Sequence, residues 1–117
     1  MMRAFLKSFV YAWQGIIVAL REQRNLKIHV AVAILVIAAG IYYPVTRTEW
    51  CVLLLCIALV ISLELINSSI ENLVDLVTKE HHPLAGRVKD IAAGAVLVAS
   101  IMAFFIGLMI FIPHILS

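Results

Sequence analysis

From Ile91 to Ile112 the chain runs for 22 consecutive residues without a charged side chain. As a helix, that stretch rises ~33 Å at 1.5 Å per residue, enough to cross the ~30 Å hydrocarbon core of a bilayer. Two further stretches share its character. IHVAVAILVIAAGIYY, from Ile28 to Tyr43, carries no formal charge, and the run that opens at Trp50 is apolar up to Ser62 before it turns acidic. Apolar residues make up 64% of the chain and charged residues 14%, against roughly half and a quarter in a soluble domain. A chain this short has too little interior to hide the excess, so a bilayer must supply the apolar surroundings. The expected fold is an all-α membrane protein forming one domain over 1–117. An interfacial helix covers 1–26, followed by spans at 28–45, 50–75 (with a polar extension) and 91–113.

The charges are distributed unevenly. Arg3, Lys7, Arg21, Arg24 and Lys27 precede the first span, Lys79, Arg87 and Lys89 fall between the second and third, and only Arg47 occupies the first connection. The positive-inside rule then puts the N-terminus and the second connection in the cytoplasm and the C-terminus outside. Of the seven acids, only Glu49 falls on the outer side. Tyr42, Tyr43 and Trp50 flank the first connection as an interfacial aromatic belt would. A net charge of +2 leaves no footprint for nucleic acid. Cys51 and Cys56 lack the paired spacing of a metal or redox motif and read as small apolar residues.

Residues 2–24 do not span, nor do they read as a cleavable signal. On a helix, Arg3, Lys7, Gln14 and Arg21 fall within an arc of ~40°, while Phe5, Phe9, Trp13, Ile16 and Leu20 share a separate arc of ~80°. That is the pattern of an amphipathic helix lying in the membrane interface. Pro44 ends the first span, and Pro83 and Gly86, within a connection drawn at 76–90, argue that the second helix stops before them.

The chemistry concentrates on the second span. Glu64, Asn67, Glu71 and Asp75 are spaced three, four and four apart, which gathers them within ~80° of one helical face, with Ser68 at its edge. Glu64 ends a long apolar run, where a carboxylate costs several kcal/mol unless paired or hydrated. Oxygen ligands without nearby His or Cys suit a hard cation such as Mg²⁺, held by one or two carboxylates together with substrate phosphates. Lys89 and Asp90, at the mouth of the third span, add a cation and another acid. No Gly-rich phosphate loop of the Walker type is present. These residues point to metal and phosphate at the membrane interface. A proton or cation pathway subunit is the alternative, although the apolar outer halves of the spans leave a relay nowhere to go.

The run ELINSSIENLVD from Glu64 to Asp75, followed by AGRVKD from Ala85 to Asp90, resembles the prokaryotic diacylglycerol kinase family. YAWQG at Tyr11 to Gly15 and RNLKIH at Arg24 to His29 extend the likeness over almost the whole chain. HHPL at His81 to Leu84 is similar to the Gram-positive branch, in which undecaprenol is often the lipid. The resemblance implies a homotrimer in a bacterial inner membrane, with Mg²⁺ and ATP serving phosphorylation of a lipid hydroxyl. It implies that Glu64 is the general base, with Asn67 orienting the site and Glu71 binding the metal. Tyr11, Gln23, Glu71, Glu80, His81, His82, Lys89 and Asp90 would contact ATP, and Lys27, His29, Glu64 and Ala93 the lipid. The family usually places a second metal-binding Glu where this chain has Gln23. Either the amide oxygen of Gln23 or the neighbouring Glu22 carboxylate fills that place.

Overall fold

The computed structural model describes residues 1–117, and every regular element in it is helical. Helix α1 covers Met2–Glu22, α2 Arg24–Tyr42, α3 Arg47–Val77 and α4 Pro83–Leu116. The last three are long and apolar enough to cross a membrane. Helices suit that solvent because each satisfies its own backbone N–H and C=O groups where no water can. At 31 and 34 residues, α3 and α4 measure ~47 and ~51 Å, so both outrun the ~30 Å apolar slab.

Helices α2 and α3 pack along seams with a seven-residue repeat. Leu26, Ala33 and Gly40 are the buried residues of α2, and Leu53, Val60 and Asn67 fall at the same interval among those of α3. A repeat of seven keeps one face of each helix turned to its neighbour. On α4, Val96, Ala99 and Ile110 are buried. Only 11 of the 117 residues are buried, so most large apolar side chains face outward, as they should in a lipid solvent. Helix α3 packs extensively on α4 and more sparingly on α2.

Three local devices shape the connections. Gln23 alone breaks the helix between α1 and α2, with extended backbone at φ −103° and ψ 111°. That one residue turns α1 off the axis of α2, and α1 buries no residue of its own. Between α2 and α3, Thr46 caps α3 reciprocally: its hydroxyl accepts from the Glu49 N–H (3.1 Å), and the Glu49 carboxylate accepts from the Thr46 N–H (3.0 Å). The same carboxylate lies 3.0 Å from His114 Nε2, tying the first turn of α3 to the last of α4. Finally, His82 Nδ1 accepts from the Leu84 N–H (3.1 Å), with Pro83 in the first turn of α4.

That last cap changes one expectation. The connection drawn at 76–90 is confined to Thr78–His82, and the helix expected from Ile91 already begins at Pro83. Proline belongs in a first turn, where no N–H is needed, and Gly86 is accommodated inside the helix. Lys89 and Asp90 therefore stand on a rigid helix rather than in a loop.

Where α2 meets α3, the Trp50 ring lies on the backbone of Gly40. A Cβ at position 40 would sit 2.6 Å from Trp50 Cη2 and 2.8 Å from Cζ2. Gly40→Ala should therefore destabilise the fold by about 1–3 kcal/mol. Gly86→Ala, which meets nothing within 4 Å, should be neutral or stabilising by up to about 1 kcal/mol. Reversible unfolding in mixed micelles measures both, and equal responses would contradict the contact.

Candidate active site

Glu64, Asn67 and Ser68 are the only buried polar side chains of the protein, at 2%, 4% and 4% exposure. All three fall within little more than one turn of α3, at the end of its apolar run. Taking a carboxylate out of water is costly unless a charge or hydrogen bond compensates it, and here the partner comes from another helix. His29 of α2 places Nε2 3.7 Å from Glu64 Oε2. The Ser68 hydroxyl turns back along α3 to donate to the Glu64 carbonyl oxygen (3.0 Å), so it is satisfied without touching the carboxylate.

Asn67 links Glu64's turn of the helix to the next. Its Nδ2 donates to Glu71 Oε1 (3.2 Å), which orients that carboxylate and leaves the other oxygen free. Asn67 Oδ1 is buried with no hydrogen-bond partner in the protein. A buried acceptor in that condition costs about 1–3 kcal/mol, and a bound molecule carrying a donor would relieve it. One turn further on, Lys89 Nζ donates to Asp75 Oδ1 (2.6 Å) and joins the start of α4 to the end of α3. The pair is half exposed, so its worth to stability is at most about 1 kcal/mol, but it holds the ammonium beside the acidic stripe.

Glu22 and Gln23 lie on another side of α3. With Ser68, Ser69 and Asn72 they line a cleft of ≈380 Å³ between α1 and α3, and Glu71 is not among its lining residues. No three His, Cys, Asp or Glu side chains converge within the chain on a point that would hold a metal ion. The free oxygen of Glu71 and the oxygens of Gln23 and Glu22 are donors of the kind a hard cation takes, but the protomer does not bring them into one cleft. Tyr11, Lys27, Glu80, His81, Asp90 and Ala93 are exposed around this end of the bundle, and His82 is exposed but committed to its cap.

A second cavity, of ≈440 Å³, opens between α2, α3 and α4. Its walls are apolar, formed by Val36, Val60 and Phe104 among others, and its polar lining comes from His29 and Ser100. Two relations here escaped sequence reasoning: the pairing of Asp75 with Lys89 and of His29 with Glu64. Each joins different helices, and spacing along one helix cannot report it.

The family model for prokaryotic diacylglycerol kinase matches residues 10–111. An undecaprenol kinase of Bacillus subtilis is 46% identical over 109 residues, 93% of this chain and 89% of the relative. A diacylglycerol kinase of Synechocystis is 42% identical over 113 residues, 96% of this chain and 65% of that longer relative. A diacylglycerol kinase of Escherichia coli is 31% identical over 98 residues, 84% of this chain and 80% of the relative. The matched region contains Glu64, Asn67, Glu71, Asp75, Lys89 and Asp90, and the chain belongs to the prokaryotic diacylglycerol kinase family, a family of lipid kinases.

Proposed function

We propose that this protein transfers the γ-phosphoryl group of Mg-ATP to the hydroxyl of a membrane lipid at the cytoplasmic face. The observation that carries the reading is the burial of Glu64 beside Asn67 where the apolar run of α3 ends. A base there meets a lipid alcohol at the depth where such alcohols reside. Glu64 removes the hydroxyl proton as the oxygen attacks phosphorus, and proton transfer of this kind contributes roughly 10²–10⁴-fold to rate. Glu71, oriented by Asn67, would hold the magnesium with Gln23 or Glu22. When bound, that ion neutralises charge on the nucleotide phosphates. Lys89 and Asp90 stand one to two turns along the stripe, where Lys89 would exchange Asp75 for phosphate oxygens. Tyr11 and the Glu80, His81 and His82 segment border the nucleotide, and Lys27, His29 and Ala93 border the lipid.

The wider setting follows the same reading. With its aromatic residues Phe5, Phe9 and Trp13 about 60% exposed, α1 lies in the interface. The N-terminus and the Thr78–His82 connection face the cytoplasm. Three copies assemble, each lending surface to a neighbour's site, and Gly94 faces open space where another helix fits. The lipid is undecaprenol rather than diacylglycerol. The relative named for undecaprenol supports that choice.

Purified protein in mixed micelles should phosphorylate extracted lipid only with Mg²⁺ and ATP present, and undecaprenol faster than diacylglycerol when the two are compared. Glu64→Gln should lower kcat at least roughly 10²-fold while keeping the helical content and assembly of the parent. Turnover unaltered in that variant removes Glu64 as base, and ion flux in liposomes without ATP consumption favours a pathway subunit. Glu71→Gln should raise the magnesium concentration for half-maximal rate by about tenfold, a loss of ~1.4 kcal/mol, read by titrating Mg²⁺ at saturating lipid.

A further inference from the structure

His29 reaches Glu64 because of where it stands on α2. Leu26, the most buried side chain of the protein at 1% exposure, fixes the first turn of α2 against the bundle. His29 follows three residues later on the same face, ahead of Ala33. Its Nε2 is the only basic nitrogen of the protomer within 4 Å of the Glu64 carboxylate. The side chains differ in access: Glu64 is 3% exposed and His29 22%. A proton placed on Glu64 is therefore more enclosed than one placed on His29. His29 also lines the apolar cavity between α2, α3 and α4, so it stands between that cavity and the base.

We propose that His29 is a positioning residue for Glu64, whose imidazole holds the carboxylate in place and accepts the proton that Glu64 takes from the lipid alcohol. The inference rests on the lipid-kinase reading. In the first step the lipid O–H bond breaks and its proton goes to Glu64. The lipid oxygen bonds to the γ-phosphorus, and the bond from that phosphorus to the β–γ bridging oxygen breaks, releasing ADP. In the second step the proton passes from Glu64 to Nε2, which requires the tautomer with hydrogen on Nδ1. The half-buried imidazolium then loses a proton to water, and Glu64 is again a carboxylate. Closing the 3.7 Å gap to a charge-assisted hydrogen bond of roughly 2.7–2.9 Å needs only side-chain adjustment.

The charged surroundings of His29 are sparse. Across from it α3 presents Glu64, with Glu71 two turns on. The cavity adds Cys56 from α3 and the uncharged Ser100 from α4, and α1 contributes nothing to its walls. Lys27, on the same helix, is exposed and points to a different face.

Lipid phosphorylation measured from pH 5.5 to 9, at saturating ATP and lipid, tests the role. The wild-type kcat should fall toward the acid end of that range, because an imidazole already carrying a proton cannot accept another. His29→Ala should lower kcat by roughly 10²-fold or more, leave the KM for ATP unchanged and alter the shape of that acidic limb. Imidazole added to the buffer should restore part of its rate, and none to Glu64→Gln. His29→Gln, which keeps a hydrogen-bond donor but accepts no proton, should stay slow, and its tryptophan-monitored unfolding shows whether it is folded. Wild-type kcat with an unchanged pH profile in His29→Ala overturns the proposal, as does full recovery in His29→Gln. The pairing has a readout independent of turnover. Nitrogen NMR of labelled histidine, assigned by His29→Gln, should show the His29 Nε2 resonance shifted by Glu64→Gln, and no shift refutes the pair. Failure of the wild-type protein to phosphorylate any lipid refutes the kinase reading instead.

Discussion

A carboxylate excluded from water organises this protein. Glu64 sits at 2% exposure where an apolar helix turns polar, and an isolated charge in that position would cost several kcal/mol. The surrounding groups respond to that cost. An imidazole from α2 approaches the carboxylate, Asn67 occupies the packing seam one turn away, and Ser68 satisfies itself on the backbone. Asp75 and Lys89 form a shorter contact, 2.6 Å, yet that pair stands in water and is energetically the lesser one. Burial, rather than distance, ranks the two.

A buried polar cluster inside a thin bundle is tolerable because little else is asked of the interior. Soluble domains place their largest side chains inside, whereas here Met102, Phe105 and Met109 point outward and the seams are filled by Leu26, Ala33, Leu53 and Val60. With lipid outside, the apolar surface gains nothing by turning inward, so close approach of backbones decides the packing. The contact between Gly40 and Trp50 is the clearest instance. The same looseness leaves an apolar cavity between α2 and α4, both of which lean on α3.

Much of this was legible in the residues. Uncharged runs announce the long helices, and the spacing of Glu64, Asn67, Glu71 and Asp75 puts them on one face, because both properties belong to a single helix and its period. The second helix does stop before Pro83 and Gly86, as read, at Val77; the connection drawn at 76–90 was too long, because proline in a first turn opens a helix and a cap from His82 completes it. The partners of Glu64, Asp75 and Glu49 were not legible. His29, Lys89 and His114 lie 35, 14 and 65 residues away in the chain, and how two helices cross is set by packing rather than by local pattern. Glu22 and Gln23 fall on the cleft between α1 and α3 for the same reason.

The far end of the bundle has its own consequence. There the capping box at Thr46, the Glu49–His114 contact and the Trp50 ring on Gly40 bind the tips of α2, α3 and α4 together. At the Glu64 end, Leu26 is buried in the bundle and Lys89 donates to Asp75. With fastenings at both tips, the three spans cannot slide along one another without breaking one of them, so the height of Glu64 against His29 is set from both ends.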